Sequence, residues 1–393
     1  MRRKKICFVV AIAGTAQSFL RDHIKALHED YDVYLAGNIK DVKELEMLDI
    51  TSWKRINVER PISLSNDLKA VFQLSSYFRK MKFDAVHSVT PKAGLVCALA
   101  GFIARVPIRI HIFTGQVWAT RRGAMRFILK SLDRLIAKLN THILVDGNSQ
   151  KNFLIQQGVI SDTKALVLGE GSICGVNMIK FNPSCEVRMA IRKELGIAED
   201  KVVFVFMGRL NRDKGVFELL SAFDRLASIN KKVFLLLLGS DEENVASTFG
   251  QYKEVSKENF LYYGVTSEPQ RLLQAGDIFV LPTYREGFGS SVIEAACLGL
   301  PTITSDAYGV LDASILGETG LQCKVGDVES LYVCMRELID DARKRKIFGD
   351  AGRKRVQEKF AGTVVVKNWK EYYDQLLSCL LYTSDAADDL IGV

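Results

Sequence analysis

No apolar run of about 18 residues occurs in the chain, so the sequence offers no good candidate for a transmembrane helix. The basic start, residues 1–5, precedes an apolar run of eight residues, 6–13, which we interpret as a buried first strand rather than a signal peptide. None of the eight cysteines forms a C-x-x-C pair, which argues against a zinc ribbon or a thioredoxin-type site. Cysteines scattered through apolar runs are typical of buried side chains in a reducing compartment.

Several catalytic motifs are also missing. No G-x-G-x-x-G follows the first predicted strand, which disfavours a dehydrogenase, and no G-x-S-x-G occurs, which disfavours a hydrolase. No Asp-x-Asp stands at the end of a predicted strand, because Asp30-Tyr-Asp32 falls in a helix-to-strand connection. We therefore predict no metal site and no cofactor. The basic residues carry no interleaved aromatics, which makes nucleic acid a poor partner.

The composition is that of a globular protein large enough for two domains. The 393 residues are 48% hydrophobic and 25% charged. The net charge of +7 is unevenly divided, since residues 1–190 carry +12 and the rest carry −5. This asymmetry indicates that the first half meets an anion, such as nucleic acid, anionic lipid or a diphosphate-bearing substrate.

Short β-branched runs alternate with helical patterns throughout, which predicts parallel sheets covered by helices on both faces. The expected fold class is α/β, with two Rossmann-like parallel-sheet domains facing a cleft. The predicted strands are 6–11, 31–35, 85–88, 109–113 and 141–146 in the first half, and 202–207, 233–238, 260–263, 278–282 and 301–305 in the second.

The chain divides into four predicted segments. A mixed-charge stretch around 177–192, which contains Asn182-Pro183-Ser184, has the composition of a linker. It separates a first domain, 1–180, from a second domain, 190–358. We expect 359–377 to form a C-terminal helix that packs back on the first domain. We expect 378–393 to be a disordered or non-native tail, because its sequence breaks the preceding amphipathic pattern.

A glycine-rich turn in the second domain is the most informative stretch. A predicted strand ends at 281–282, and the turn leads into a helix near Ser290 and Ser291. Gly287 and Gly289 allow a close backbone approach, and the amides of a helix N-terminus attract anions such as a diphosphate. Glu286 in the turn and Glu294 one turn into the helix carry carboxylates suited to sugar or ribose hydroxyls.

Two cations occupy a second strand-to-helix junction. Arg209 and Lys214 follow the predicted strand 202–207 and precede a helix. A single loop cation is usually only solvated. At the carboxyl end of a parallel strand, beside a candidate phosphate loop, the pair is better interpreted as a diphosphate clamp.

Gly208-Arg209…Lys214-Gly215, followed by Glu286 and, eight positions on, Glu294, resembles the retaining glycosyltransferases of family 4, which have the GT-B fold. The resemblance runs over most of residues 1–377. It implies that Arg209 and Lys214 neutralise a nucleotide-sugar diphosphate, that Glu286 contacts the transferred sugar and that Glu294 contacts the ribose. It makes 190–358 the nucleotide-sugar domain and 1–180 the acceptor domain. The implied donor-binding residues are Arg209, Lys214, Gly239, Val265, Glu286, Gly287, Phe288, Gly289, Ser290, Ser291 and Glu294.

The first domain supplies the candidate acceptor residues. Gly14 follows the first predicted strand, and Lys92 stands at a helix start where it could hold an acceptor phosphate. His111 begins the run His-Ile-Phe-Thr-Gly-Gln-Val-Trp, which also contains Thr114. The resemblance makes His111 a catalytic residue together with Glu286, Arg209 and Lys214. Without it, a core histidine bonded to backbone is the better interpretation.

A basic amphipathic helix is predicted over 118–140. Its apolar and basic residues recur on opposite faces at helical spacing. This pattern suits peripheral binding to an anionic membrane surface, and it equally suits an ordinary domain helix with a wet basic face.

Phrases such as His-Ser-Val-Thr-Pro-Lys-Ala-Gly are similar to bacterial family members that extend polyprenyl-diphosphate-linked sugars in O-antigen, capsule or glycoprotein assembly. That resemblance implies a retaining hexosyltransferase on the cytoplasmic face of the plasma membrane. It suggests a UDP-N-acetylhexosamine donor and a polyprenyl-diphosphate-linked acceptor. A nucleotide-sugar epimerase of the same fold and a non-catalytic nucleotide-sugar-binding subunit are the alternatives. The oligomeric state is not predicted.

Overall fold

The computed structural model of the chain describes residues 2–58 and 63–388; for residue 64 and residues 379–388 it describes the backbone alone. The chain forms two compact units. Unit 2 is Gly175–Ala361, and unit 1 contains the described residues on either side of it. Each unit contains one sheet in which every strand pair is parallel. The predicted α/β class with two parallel-sheet domains is therefore confirmed.

Unit 1 is built on a seven-stranded sheet with the strand order β3-β2-β1-β4-β5-β6-β7. Alternate residues of the first strand face two separate cores, with Phe8 in one and Cys7 in the other. This explains why the first strand is a continuous apolar run. The strands are β1 (Lys5–Ile12), β2 (Asp32–Asn38), β3 (Ser52–Arg55), β4 (Ala85–Val89), β5 (Ile108–Phe113), β6 (His142–Val145) and β7 (Ala165–Leu166).

Helices connect these strands and cover the sheet. The π-helical segment Ala16–Leu20 joins the first two helices, and 3₁₀ turns occur at Val42–Leu45 and Val117–Thr120. The α-helices are α1 (Ala13–Thr15), α2 (Arg21–His28), α3 (Leu64–Met81), α4 (Pro91–Ile103), α5 (Gly123–Leu139) and α6 (Asn148–Gln156).

Unit 2 has six strands in the order β10-β9-β8-β11-β12-β13. This is the doubly wound order, in which the direction of winding reverses between β8 and β11. The strands are β8 (Val202–Met207), β9 (Val233–Leu238), β10 (Phe260–Gly264), β11 (Ile278–Leu281), β12 (Thr302–Ser305) and β13 (Gly320–Cys323). The helices are α7 (Cys185–Glu194), α8 (Val216–Ile229), α9 (Pro269–Leu272), α10 (Ser290–Cys297), α11 (Val328–Asp340) and α12 (Ala342–Arg355).

The segment 177–192, predicted as a linker, belongs to unit 2 instead. Ser184 caps α7 by accepting a hydrogen bond from the amide of Val187, so the polar residues there are a helix start. Arg188 and Arg192 of α7 both donate to the carboxylate of Asp277, at 2.6 and 2.5 Å. These ion pairs fix α7 to the start of β11.

The last helix, α13 (Gly362–Asp388), returns to unit 1. Trp369 and Tyr373 are buried in the unit 1 core. The indole of Trp369 stacks on the rings of His23 and His87, with centroids 4.1 and 5.2 Å apart. The backbone stays helical into the tail predicted to be disordered, since 363–388 contains neither proline nor glycine to end it. Residues 389–393 of that tail lie outside the described residues.

Three strands were not predicted from the sequence: β3, β7 and β13. β3 reads Ser-Trp-Lys-Arg and pairs on one side only, so its sequence lacks the apolar run of a central strand. β7 has two residues, and β13 begins with glycine. Each of these strands lies at or near a sheet edge, where burial on both faces no longer dictates the sequence.

Candidate functional site

The candidate site of unit 2 lies at the carboxyl ends of its two central strands, β8 and β11. The two strands pair in parallel, with Ile278 opposite Phe204. Their carboxyl ends therefore lie side by side at the point where the sheet reverses its winding, which is where open α/β sheets bind ligands. Arg209 and Lys214 follow β8, and Glu286 follows β11.

Hydrogen bonds join the loop after β8 to the loop after β11. The guanidinium of Arg285 donates twice to Oδ2 of Asp213, from Nε at 3.0 Å and from Nη2 at 2.7 Å. The carbonyl oxygen of Asp213 accepts from the hydroxyl of Thr283 at 2.9 Å and from the amide of Tyr284 at 2.8 Å. The two loops thus form one platform, and the position of one determines the position of the other.

The ammonium of Lys214 forms an ion pair with the carboxylate of Glu286 on this platform. Both side chains are largely buried, at 15% and 13% exposure. The structure therefore brings together a cation and a carboxylate that are 72 positions apart in the sequence. A charged pair of this kind can exchange partners, since an incoming phosphate competes for the ammonium and a hydroxyl group competes for the carboxylate.

Two glycines permit close backbone contacts at this edge of the sheet. Gly215 has φ +70°, and a Cβ there would be 2.0 Å from the carbonyl oxygen of Pro282. Gly239, at the end of β9, has φ +134°, and a Cβ would be 1.9 Å from the carbonyl oxygen of Gly208. Any side chain at either position would push apart the strand ends that present Lys214 and Glu286.

Arg209 makes a separate ion pair. Its side chain is 48% exposed, and Nη1 donates to Oε2 of Glu242 at 3.0 Å. Nδ2 of Asn211 donates to the same oxygen at 3.0 Å. Arg209 and Lys214 therefore do not share one partner in this structure. Glu242 was not among the predicted site residues, although it lies three residues after Gly239 at the end of a neighbouring strand.

The turn before α10 begins the helix with a glycine in the left-handed region. Gly289 is the N-cap residue at φ +91°, and no side chain caps the helix. The turn packs closely on Gly309, where a Cβ would be 2.3 Å from the carbonyl oxygen of Glu286. Ser290 and Ser291 form the first turn, whose amides are the groups an α-helix leaves without internal partners.

Phe288 differs from its predicted role, since its side chain points into the core. It is 2% exposed and packs edge-on against Phe360 at a centroid distance of 5.1 Å. The sequence could not show this direction, because an aromatic residue in a glycine-rich turn can face either way.

Glu294 lies on α10, one turn after Ser290. Its carboxylate makes no hydrogen bond within the described part of the chain, and burial raises its pKa from 4.5 to about 7, while the charge of Lys180 lowers it. A largely buried carboxyl without a hydrogen-bond partner can accept a hydrogen bond from a ligand hydroxyl. Val265, just beyond β10, is 74% exposed, so it is open to contact.

The candidate residues of unit 1 are dispersed along its strand ends. Gly14 lies in α1, and a Cβ there would meet only Cδ1 of Ile12, at 4.0 Å. Lys92 lies in the first turn of α4, where Nζ contacts Oδ1 of Asp67 at 2.8 Å. Thr114 follows the last residue of β5 and is partly exposed. Lys92 and Thr114 thus follow adjacent strands, β4 and β5, at the same edge of the sheet.

His111 lies within β5 rather than at its end, and its ring is fully buried. Nδ1 is 2.9 Å from the hydroxyl of Ser88, and the ring lies beneath Gly94, where a Cβ would be 2.4 Å from Cε1. Burial lowers the pKa of His111 to about 3, so the ring is neutral at physiological pH. In this conformation no ligand can reach the ring, and a catalytic role for His111 stays a prediction.

Three of the four basic residues of α5 make hydrogen bonds with neighbouring parts of unit 1. Nη2 of Arg126 and Nζ of Lys130 both donate to Oε1 of Gln157, at 3.1 and 3.0 Å. Nε of Arg134 donates to the carbonyl oxygen of Gly158 at 2.8 Å. The wet basic face, one of the two interpretations of this helix, agrees with the exposure of Arg134 and Lys138, whereas Arg126 and Lys130 are partly covered. No helix in the described ranges combines the length and apolarity that a membrane crossing requires.

Comparison with known proteins identifies two matching family descriptions. Residues 187–355 match "Glycosyl transferases group 1", and residues 19–171 match "Glycosyl transferase 4-like domain". The chain is 31% identical over 379 residues to the capsular polysaccharide biosynthesis glycosyltransferase CapM of Staphylococcus aureus, with 96% of this chain and 98% of CapM covered.

Two more similarities concern a relative and a solved structure. The chain is 27% identical over 287 residues to the UDP-Gal:alpha-D-GlcNAc-diphosphoundecaprenol alpha-1,3-galactosyltransferase of Escherichia coli, with 72% and 73% of the two chains covered. Alr3699/HepE of Anabaena, solved in complex with UDP, superposes with a TM-score of 0.79 at 19% identity, covering 94% of this chain and 100% of that one. At this identity, the structural likeness bears on the fold alone.

Proposed function

This chain belongs to the group 1 glycosyltransferases, and from that premise we propose that it transfers a hexose or N-acetylhexosamine from a UDP-sugar to a polyprenyl-diphosphate-linked saccharide, with retention at the anomeric carbon. The observation that carries the proposal is the Lys214–Glu286 ion pair at the reversal point of the unit 2 sheet. It supplies a cation for a diphosphate and a carboxylate for a sugar at one place.

The donor diphosphate replaces Glu286 as the partner of Lys214 in this proposal. The guanidinium of Arg209 and the first amides of α10 add positive charge around the same anion. These groups offset the negative charge that develops on the departing nucleoside diphosphate, and they do so without a metal ion. Glu286, released from Lys214, accepts a hydrogen bond from the transferred sugar.

The nucleoside extends from the diphosphate across the sheet. Glu294 accepts from a ribose hydroxyl, since its carboxylate has no other hydrogen bond in the described chain. Gly239 leaves room for the nucleotide at the end of β9, and Val265 borders the base beyond β10.

Unit 1 binds the acceptor in this proposal. Lys92 pairs with the acceptor diphosphate, and Gly14 and Thr114 line the approach of the attacking hydroxyl. The relative from Escherichia coli is named for an undecaprenol-diphosphate acceptor, and CapM is named for capsular polysaccharide synthesis. We therefore propose a role in bacterial surface polysaccharide assembly at the cytoplasmic face of the plasma membrane, with peripheral attachment.

A screen of UDP-sugars against polyprenyl-diphosphate-linked mono- and disaccharides, read by mass spectrometry, tests the proposal. We expect one donor–acceptor pair to give a product heavier by one hexose or N-acetylhexosamine. The anomeric proton coupling of that product then reports retention or inversion. An epimerised nucleotide sugar formed without acceptor would instead identify an epimerase. UDP binding without transfer to any acceptor would identify a non-catalytic subunit.

A further inference from the structure

Unit 1 contains an apolar groove of about 480 Å³ between α3, α4, the turn Val117–Thr120 and α5. Aliphatic side chains form most of its walls. They include Leu68 and Val71 of α3, Leu95 and Leu99 of α4, and Leu129 and Leu132 of α5. A groove of this size and apolarity in the folded unit exposes hydrocarbon to water, which a soluble protein rarely leaves without a use.

Polar groups occur at two places in the groove. On one wall, Oδ2 of Asp133 accepts from Nε1 of Trp118 at 2.7 Å, so this carboxylate is already bound within the protein. At one end, Lys92 and Asp67 form their ion pair, beside Pro91 at the N-terminus of α4. The groove is therefore amphipathic along its length, with a cation and a helix N-terminus at one end and hydrocarbon beyond.

The rim of the groove continues into an exposed apolar surface. Leu68 is 58% exposed and Val117 is 40% exposed on either side of the opening. On α5, Met125, Phe127 and Ile128 are 50%, 68% and 49% exposed. The first half of α5 therefore presents apolar side chains to solvent.

We propose that this groove holds the isoprene units nearest the diphosphate of the lipid-linked acceptor, with Lys92 and the N-terminus of α4 at the diphosphate itself. The inference rests on the proposed function. It is favoured by the charge arrangement, since a diphosphate joined to a hydrocarbon chain has the same order of anion and apolar segment. Asp67 is the partner that the diphosphate displaces from Lys92. The exposed residues of α5 then mark where the chain leaves the groove for the bilayer.

Chain-length dependence in the full-length protein tests the groove. The acceptors carry one saccharide diphosphate on alcohols of one, several and many isoprene units, presented in detergent without a bilayer. Wild-type kcat/KM should rise with each of the first few units and then level off. Leu132→Trp, which fills the groove, should lower kcat/KM for the longest acceptor roughly tenfold, equivalent to about 1.4 kcal/mol of lost binding. For the shortest acceptor, its kcat/KM should equal that of wild type.

Leu135→Trp is the matched control, because Leu135 lies on the same helix, is 36% exposed and does not line the groove. It should keep the wild-type dependence on chain length. Two results would overturn the groove assignment and leave the proposed function standing. One is that wild-type kcat/KM does not rise with chain length although all acceptors react, and the other is that it rises as much in Leu132→Trp as in wild type. Absence of transfer to any acceptor would overturn both.

Two measurements exclude other occupants. If Leu132→Trp changed the oligomeric state by light scattering, the groove would be a contact between copies of the chain, and the assignment would be overturned. If the variant lost binding to acceptor-free vesicles in proportion to its loss of kcat/KM, the occupant would be a bilayer lipid, which also overturns it. Unchanged mass and unchanged vesicle binding, together with the lost chain-length gain, are the results we expect.

Discussion

Arg285 and Asp213 form a two-bond ion pair that ties the loop after β11 to the loop after β8. Asp213 directly precedes Lys214, and Arg285 directly precedes Glu286. The pair therefore sets the separation of the two groups that we place on the donor. It touches no proposed ligand position itself, so we regard Arg285 and Asp213 as positioning residues.

Asp213→Asn should lower donor turnover by about tenfold to a hundredfold, because weakening this ion pair lets Lys214 and Glu286 shift relative to each other. The variant should raise the donor KM as well as lower kcat, and its thermal unfolding should stay close to wild type. Asp306→Asn is the control, since Asp306 pairs with Lys324 at the surface of the same unit. Steady-state kinetics with the donor as the varied substrate measure the effect; equal rates in both variants would contradict it.

Lys214→Ala should reduce kcat by roughly a hundredfold to a thousandfold, because it removes a charge that stabilises the leaving diphosphate. Arg209→Ala should also reduce turnover, though less, since Arg209 is more exposed and its charge is better screened by water. Lys324→Ala, at a side chain that is 76% exposed, should react as wild type. Near-normal turnover in both Lys214→Ala and Arg209→Ala would exclude the donor assignment.

The proximity of Lys214 and Glu286 could be predicted from the sequence, because adjacent parallel strands have their carboxyl ends at the same edge of a sheet. The strands β8, β9 and β11 have long buried runs, so their ends can be read directly from the sequence. The direction of each side chain beyond those ends depends on tertiary neighbours. That is why the pairing of Arg209 with Glu242 and the inward direction of Phe288 could not be read from spacing.

His111 illustrates the same limit within a strand. Sequence shows that it lies in or near β5, but not that the ring fits beneath a glycine of the next layer. Nothing in the sequence distinguishes Gly94 from other residues near a helix start. Only the packing of α4 on β5 shows that the missing side chain of Gly94 makes room for the imidazole. The contacts of Arg126 and Lys130 with Gln157 could not be read from spacing for the same reason, since they form only after α6 has packed.

Glu294 should make the stability of the protein depend on pH in a defined window. Its pKa is raised from 4.5 to about 7, so the folded state binds this proton more tightly than the unfolded state does. Between those two values, the unfolding free energy of wild type should therefore fall as the pH rises. Glu294→Gln should remove that component, whereas Glu258→Gln, at an exposed carboxylate, should not. Denaturant unfolding at about pH 4.5 and about pH 7 measures how much the unfolding free energy changes between the two pH values. An equal change in wild type and both variants would contradict the prediction.

Trp369→Ala should destabilise unit 1 by about 3–5 kcal/mol, because it empties the space between His23 and His87 in the core. Lys367→Ala on the same helix is the control, since Lys367 is 74% exposed. Hydrogen exchange followed by mass spectrometry should show faster exchange of α13 and α2 in Trp369→Ala, with β8 and β9 unaffected. Equal protection of α13 in the two variants would show that Trp369 does not anchor this helix.

Membrane binding should depend on the apolar residues of α5 more than on its charges. Phe127→Gln removes the one aromatic side chain of α5, which is 68% exposed. We expect it to weaken binding to vesicles of mixed neutral and anionic lipid by roughly tenfold, about 1.4 kcal/mol. Lys138→Gln, at an exposed cation on the same helix, should have a much smaller effect. Salt screens the attraction between cations and anionic lipid but not apolar contact, so raising the salt concentration should release little of the protein from the vesicles. Two results together would contradict this: release of wild type by moderate salt, and binding of Phe127→Gln at low salt as tight as that of wild type. They would show that the attachment is electrostatic and that another surface of the protein makes it.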